Sequence, residues 1–491
     1  VSSTPISAAS AAALAWLVWR SRDWALVHDA PLLHYVAWLL DRGLVPYRDL
    51  LDMNWPGVYL LHWLLLRTGG AGDLAWRLFD LAWLAGAGLA LHALARPAAG
   101  RGGALAGALL FALYHLAGGP WRAGQRDFLL AALLLAGAAG VARHGEAPRA
   151  PAPLAWGGLA LGAAATLKPQ ALLLAAALGV IALRASPAGR RLAAGATLAL
   201  AVAAPLGGVA GWLAARGGLA AFLDVAFGYV LPLYSRVGRV GILESLGWHA
   251  RGRTLLALLL LLAALGLARA CRAGHSARGA VLACGVAYGW LHYWLQGKGW
   301  EYHLYPLVAF LCAAGAPAFG PARPRPGPAR AWLRPAVATL AGLALVGVLG
   351  LKAADAVAPS WVVAKLRRVE RLARDLGATA APGQPVQVLD VTAGGVHAAL
   401  RLGLPPATRF MYDFHFFHHV DHPRVRAMRA ELLDGLRAGR AALVVLMEEG
   451  WPRAGYERIE AFPELAELLA RDYRLAVDGE GYRIYAQRGR P

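Results

Sequence analysis

Eleven apolar runs set the terms on which this chain can fold. They cover residues 5–20, 73–95, 103–118, 128–142, 154–167, 169–183, 192–214, 254–268, 279–295, 304–320 and 332–351. Hydrophobic residues make up 58% of the 491 positions and charged residues only 16%, a balance that excludes an ordinary soluble globule and points to a polytopic membrane protein. In lipid every backbone N–H and C=O must be satisfied within the segment, so the runs are expected as helices and the fold class as all-α. Several are shorter than the ~20 residues that a span needs, which leaves their borders soft. The run 56–66 is too short to cross. It carries Tyr59, His62 and Trp63, and is expected to lie in the membrane interface. The first run lacks the basic segment and small-residue cleavage site of a signal peptide, so it is expected to be a retained helix.

Charge sets the orientation. The net charge of +20 would suggest nucleic acid in a soluble protein, but here Lys and Arg collect in short loops between apolar runs, as cytoplasmic anchors do, and no nucleic-acid partner is expected. Five alternate loops hold Arg96 and Arg101; Arg143 and Arg149; Arg184, Arg190 and Arg191; Arg269, Arg272 and Arg278; and Arg323, Arg325, Arg330 and Arg334, with Glu146 as the single acid among them. The opposite loops hold Asp29, Asp41, Asp49, Asp52, Asp127, Asp224, Glu244 and Glu301. Counting 56–66 as a span would put basic loops outside, so the charge pattern supports the interfacial assignment.

Beyond residue 356 the character changes. Lys365 to Arg374 is basic and amphipathic; Val386–Asp390 and Ala442–Leu446 are expected as buried strands, with Tyr482–Ala486 closing a small sheet. Arg371–Leu376, Arg424–Leu436 and Glu464–Arg471 are expected as helices. Two domains follow: a transmembrane domain 1–356 with a first outer loop 21–72, and a C-terminal α/β domain 357–491 placed outside by the odd number of spans. Gly394-Gly395 is too isolated to be a phosphate-binding fingerprint. Cys271, Cys284 and Cys312 form neither a disulfide framework nor a metal motif.

The groups able to carry chemistry all map to outer loops. The first loop supplies Asp29, His34, Asp49, Asp52 and Asn54; the second Arg126 and Asp127; the third Lys168; the long fourth loop, 215–253, Tyr229, Tyr234, Arg236, Arg239 and Glu244; the fifth Lys298, Glu301, Tyr302 and His303. Acids and bases gathered at one face and edged by Trp and Tyr suit an anionic amphiphile. Each has a plainer role beside the functional one. Asp29 precedes a helix opened by Pro31 and suits an N-cap. Asp49 and Asp52 are possible partners of Arg48, and Asp127 of Arg126. Lys168 at a helix-turn-helix can snorkel, and Tyr302 and Trp300 can anchor the interface. Arg77 and Asp80 are spaced to pair with each other on one helix. The run Tyr412 to His422 is rich in His and Asp but lacks spaced metal ligands, and no metal site is assigned.

These segments carry a resemblance. His28-Asp29-Ala30, the stretch from Gly43 to Leu64, the run Ala123 to Leu130, the turn Thr166-Leu167-Lys168-Pro169 and the segment Gln296 to Pro306 together resemble bacterial glycosyltransferases of the family 39-like, GT-C type. That group includes protein O-mannosyltransferases and the lipid A aminoarabinose transferases. The resemblance covers about residues 5–320. It implies a GT-C fold in a bacterial cytoplasmic membrane, a polyprenyl-phosphate sugar as donor, and attack by an acceptor hydroxyl with inversion at the extracytoplasmic face. By position, the family's first-loop catalytic carboxylate becomes Asp29. The chemistry agrees: a sugar hydroxyl is a poor nucleophile and needs a carboxylate to take its proton, whereas a phosphate leaving group needs cations.

On this reading Asp127 or Asp52 joins Asp29 in the catalytic group and organises the site. Lys168, Lys298, Arg126 and His303 meet the donor phosphate, and Asp49, Asn54, Glu301 and Tyr302 contact sugar or acceptor. The chain departs from the aminoarabinose transferases at Trp55-Pro56, where they have Lys-Pro. A cation supplied from elsewhere would still contribute about 4 kcal/mol per unit charge at ~4 Å and an effective dielectric of ~20. The clustered acids permit a divalent metal ion without requiring one. The acceptor can be protein, glycolipid or glycan, and the C-terminal domain is expected to help bind it, with the fourth loop as a lid. A lipid-linked-sugar flippase and a non-catalytic membrane scaffold are the rival classes. A transporter would place its charges near mid-membrane, often on internal repeats, and neither is visible in the sequence.

Overall fold

The computed structural model describes residues 4–241, 244, 250–320 and 333–489. Most of the basic loop with Arg323, Arg325 and Arg330, and part of the expected lid, lie outside the described residues. The chain divides into two compact units: Val1–Ala25, Gly72–Val209 and Arg239–Pro359 form one, and Leu26–Ala71, Ala210–Gly238 and Ser360–Pro491 the other.

The first unit is helical. Each apolar run falls on a helix: Thr4–Arg20, Asp73–Leu116, Arg126–Glu146, Ala152–Leu167, Ala171–Ala185, Arg191–Ala215, Ala250–Arg272, Ser276–Gln296, Tyr305–Gly315 and Leu333–Ala356. The runs 73–95 and 103–118 are two halves of Asp73–Leu116, broken at Gly100 (φ 71°) just after Pro97. That break falls at the Arg96–Arg101 loop, where a proline lacks the N–H to continue the helix. By length and composition, six segments among the described residues can cross a membrane: Asp73–Leu116, Arg126–Glu146, Ala188–Ala215, Arg253–Arg272, Glu301–Phe319 and Pro335–Thr379. Ala152–Leu167 and Ala171–Ala185 are apolar but shorter.

Small residues let these helices touch. A Cβ on Gly140 would lie 2.5 Å from the Pro153 carbonyl and 2.7 Å from the Gly157 Cα, the close backbone approach that holds helices together in lipid. Buried ion pairs add to this. Arg77 and Asp80 do pair, at 2.5 Å. Asp80 also meets His115 Nε2 at 3.1 Å and accepts from the Gly124 amide at 2.9 Å, while Arg77 donates to Ser21 and lies over the Trp24 ring. Arg278 closes on Glu146 at 2.6 Å and on the Leu94 carbonyl.

The second unit is α/β. Strands β1 (Val386–Leu389), β2 (Leu443–Met447), β3 (Tyr473–Gly479) and β4 (Tyr482–Gln487) form one sheet in the order β1-β2-β4-β3. β1 and β2 run parallel, with Val388 opposite Val445, and the other pairings are antiparallel. The expected strands at 386, 442 and 482 and the helices Ser360–Thr379, Pro423–Arg437 and Pro463–Asp472 are all present. The sequence reading missed β3, a largely exposed edge strand, and the eight-residue helix Gly395–Leu402.

This unit also contains the first outer loop and residues 210–238, and specific bonds explain why. The Tyr35 hydroxyl donates to the Leu404 carbonyl at 2.7 Å, and the Leu51 amide to the Arg409 carbonyl at 2.7 Å in a short parallel bridge. Arg48 bonds the Arg216 carbonyl, Arg424 pairs with Asp224, and the Tyr229 hydroxyl sits between His415 (2.6 Å) and His418 (2.8 Å). The apolar run 56–66 becomes the helix Gly57–Gly69 of this unit.

Candidate functional site

The candidate residues fall into groups within each unit. In the second unit, Asp29 stands at the N-cap of Ala30–Leu40 with Pro31 in the first turn. It does not cap. Its backbone is already helical (φ −76°, ψ −28°) and its carboxylate makes no capping hydrogen bond, because an N-cap side chain reaches the amides ahead only from an extended backbone. The capping role weighed from sequence is thus set aside. His28, just before it, holds a left-handed φ of 64° that few non-glycine residues adopt. Its Nε2 lies 3.8 Å from Asp29 Oδ1. Strain of this kind is often kept where geometry serves function.

A cleft opens beside these residues. It is small, with room for about 10 Å³, and His28, Pro31, Lys365, Asp390, Thr392 and His397 are among its lining residues. Behind it His34 Nδ1 and His62 Nδ1 meet at 2.7 Å. Burial pulls the His34 pKa down to about 4, so that ring is neutral, and across the 2.7 Å contact one ring donates to the other. Burial, followed by the cations Arg401 and Lys365 and the ring of His34, pulls His397 to about 3.

Asp52 and Asn54 form a tight buried turn. Asp52 Oδ1 accepts from the Asn54 backbone at 3.2 Å and from its side-chain amide at 2.9 Å. The Asn54 carbonyl accepts from the Tyr47 hydroxyl at 2.6 Å. Burial and the Asp52 charge hold Tyr47 and Tyr59 well above the usual phenol range. Asp49 pins its own loop: it pairs with Arg48 at 2.9 Å and accepts from the Val45 amide at 2.8 Å. The Arg48 hydrogen bond keeps its pKa low.

In the first unit the structure brings Asp127, Lys168, Arg126 and His303 together around a residue that sequence reasoning overlooked, His292. Asp127 takes Lys168 Nζ at 2.8 Å on Oδ2 and His292 Nε2 at 2.6 Å on Oδ1. Its partner is therefore not Arg126; neighbours on a helix point about 100° apart. Asp127 is fully buried and Lys168 is 8% exposed. Lys168 is held in extended backbone at the end of Ala152–Leu167. His303 and Arg126 lie within electrostatic reach of the group. The signal for His292 was present: a histidine inside an apolar run is costly and usually has a task.

Lys298 sits between Gly297 (φ 60°) and Gly299 (φ 67°). This left-handed turn is tied down by a bond from the Val240 amide to the Gly297 carbonyl at 2.8 Å. The Arg239 guanidinium packs on Gly297 so closely that a Cβ there would lie 2.9 Å from it. Burial and this second cation lower the Lys298 pKa to about 8. Glu301, expected near sugar or acceptor, has both oxygens engaged, by Arg122 at 2.5 Å and by Lys352. Tyr302 packs among Trp121, Trp300 and His303, with ring centroids 5.8, 5.6 and 4.5 Å away. In the 412–422 segment Asp413 pairs with Arg458 at 2.7 Å. Among the described residues no three His, Cys, Asp or Glu side chains are grouped to hold a metal.

No family model and no curated protein matches the sequence. Solved structures do match. ArnT from Cupriavidus metallidurans bound to undecaprenyl phosphate superposes with a TM-score of 0.57 at 13% identity, over 97% of each chain. The oligosaccharyltransferase AglB from Archaeoglobus fulgidus, in complex with an inhibitory peptide and a dolichol-phosphate, gives 0.52 at 12% identity, over 98% of this chain and 74% of its own. The same archaeal enzyme in complex with zinc and sulfate gives 0.51 at 11% identity, over 89% and 68%. At such identities the likeness is one of fold. The chain is an integral membrane protein with the GT-C fold that ArnT and AglB share.

Proposed function

We propose that this protein is a membrane glycosyltransferase. It moves a monosaccharide from a polyprenyl-phosphate carrier to an acceptor hydroxyl at the extracytoplasmic face of a bacterial cytoplasmic membrane. The observation that carries the reading is Asp29, a carboxylate at a helix start that does no capping, next to His28 with its left-handed backbone and beside a small pocket that His28 and Pro31 line. The GT-C fold, matched along nearly the whole chain by a structure holding undecaprenyl phosphate, supports the class of donor.

In the reaction, the acceptor oxygen attacks the anomeric carbon from the face opposite the phosphate, which inverts that centre. Asp29 takes the hydroxyl proton as the new C–O bond forms. The bond from the anomeric carbon to the phosphate oxygen breaks, and polyprenyl phosphate leaves carrying the electron pair. Lys168, Lys298, Arg126 and His303 are the groups proposed to offset the charge developing on that phosphate. Asp127 acts through Lys168, since its oxygens are taken by Lys168 and His292. Asp52, buried in its turn with Asn54, shapes the first loop; Asp49, Glu301 and Tyr302 border sugar or acceptor. The described residues offer no cluster suited to a metal ion.

The test is turnover in liposomes with a panel of polyprenyl-phosphate monosaccharides and membrane extract as acceptor source, following release of polyprenyl phosphate with and without EDTA. Release with one sugar, lost in Asp29→Asn, is expected. An Asp29→Asn protein that folds and keeps full turnover would remove Asp29 from catalysis. No release from any donor would favour a flippase or scaffold.

A further inference from the structure

The α/β unit holds a further cavity, of about 410 Å³, that takes no part in the chemistry above. Its size falls within the range of small-ligand pockets, about 300–1,000 Å³. The sheet supplies one wall. Along β4, Tyr482, Ile484 and Ala486 are buried, while Arg483 and Tyr485 alternate with them on the other face. Leu446 stands opposite Arg483 in β2, and Leu475 opposite Tyr485 in β3, so these four side chains share that face and line the cavity. The helix Pro463–Asp472 supplies the second wall through Ala466, Leu469 and Ala470. Ala466 and Ala470 lie one turn apart, and their short side chains leave the space open. The short helix Tyr456–Ala461 adds a third side with Tyr456, Ile459 and Glu460.

Three guanidinium groups border this space, those of Arg474, Arg483 and Arg488. Arg483 is fixed in place: its Nε donates to Asp478 Oδ1 at 3.0 Å, and its guanidinium lies 4.1 Å from the centre of the Tyr456 ring. Arg488 Nε donates to the Tyr473 carbonyl at 3.0 Å, which leaves its two terminal amino groups beyond that bond. Arg474 makes no hydrogen bond or ion pair among the described residues. Two carboxylates answer the three cations: Asp478 beside Arg483, and Glu460 on the lining. One positive charge is left over. A guanidinium offers its donors in the planar fork that a carboxylate accepts. The tyrosine rings and leucines offer flat apolar surface to a ring, with hydroxyls at its edge. Apolar walls with a few placed polar groups are the make-up of a small-molecule site.

We infer that this cavity binds an acidic sugar of the uronic-acid class, its carboxylate on Arg474 and Arg488 and its ring against Tyr456, Tyr485 and the leucines. The choice of a sugar over other ring carboxylates rests on the proposed glycosyltransferase activity; the cavity and its surplus charge do not.

The test is saturation-transfer NMR on the full-length protein in detergent, with direct signals and competition. Glucuronic acid is compared with glucose, which lacks the carboxylate, with acetate, which lacks the ring, and with benzoate, a ring carboxylate that is not a sugar. Glucuronic acid is expected to bind, and the other three to bind about tenfold more weakly or less well still. Arg474→Glu is expected to weaken glucuronic acid by about tenfold or more, the worth of one hydrogen bond to a charged group. Ala470→Phe fills the space without altering charge and is expected to abolish binding. Both positions are exposed, so the fold should survive either change. No glucuronic acid signal in the wild type overturns the inference, and so does an undiminished signal in the folded variants. Glucose binding equally well overturns the role of the guanidiniums, acetate that of the ring, and benzoate the choice of a sugar. Binding is read without turnover, so a failure here leaves the transferase reading standing, and a failure of turnover leaves the binding result intact.

Discussion

Replacing Asp127 by Asn tests the centre of the helical unit. Asp127 and Lys168 are 2.8 Å apart and both are buried. At an effective dielectric of ~20 two unit charges at that separation attract by about 6 kcal/mol. Desolvation of both ions offsets much of this, so the pair adds little over an apolar substitute. Removing one member is different, because it strands the other: about 3–5 kcal/mol is the usual cost. Asp127→Asn leaves the Lys168 ammonium in that position and weakens the 2.6 Å bond to His292. Thermal unfolding in detergent should show a fall of several degrees, and Lys168→Met alone should do the same by stranding the carboxylate. The double variant should recover most of the loss, because neither charge is then left unpaired. The cycle is completed by polyprenyl-phosphate release, which should stay low in the double variant since the cation is gone. Single losses below about 1 kcal/mol that simply add would refute the coupling.

Three further outcomes are expected. Because His34 is held neutral with its pKa near 4, against about 6.5 in an unfolded chain, the unfolded state binds the extra proton between those values. Stability is then full above pH 6.5 and falls as pH drops toward 4, and His34→Gln should flatten that slope in unfolding scans. Lys298, lowered to about 8, should lose its proton in the free protein as pH rises through that value. Affinity for polyprenyl phosphate, followed by tryptophan fluorescence, should weaken between pH 7 and 9 in the wild type and not in Lys298→Arg. Gly140→Val should lower the unfolding temperature by the equivalent of about 1–3 kcal/mol or more, since even its Cβ would meet Pro153 and Gly157. Gly207→Ala, with nothing within 4 Å, should not.

What the sequence made legible is local in origin. Apolar runs wrote the helices, because lipid leaves the backbone no other way to be satisfied. Short, fully buried runs wrote β1 and β2, and alternating burial wrote β4. The Pro97–Gly100 break could be read from residue type alone. Asp29 stood out because a carboxylate before Ala-Pro at the edge of an apolar run has few plain explanations, and the structure removes the plainest. Partnerships across the chain were not legible. Asp127 bonds His292, 165 residues away, and Glu301 pairs with Lys352, 51 residues away. Lys365 looked like one more cation on an amphipathic helix, and only the packing of that helix shows its side chain to be largely buried. β3 escaped although Tyr473, Leu475 and Val477 alternate along it, because it follows the helix Pro463–Asp472 with no turn between them.

The bond from Tyr35 to Leu404 joins residues 369 positions apart. At a synthesis rate of about 5–20 residues per second, roughly 20–70 s separate the emergence of the two. For that interval the helix Ala30–Leu40, apolar and destined for burial, has been made without the residues that will cover it. A fragment beginning at residue 357 meets the converse difficulty, since it lacks Leu51 beside Phe410 and Tyr229 between His415 and His418. The α/β unit is thus a late assembly of three chain segments, and its yield in a cell depends on how well the earliest of them is sheltered until the last arrives.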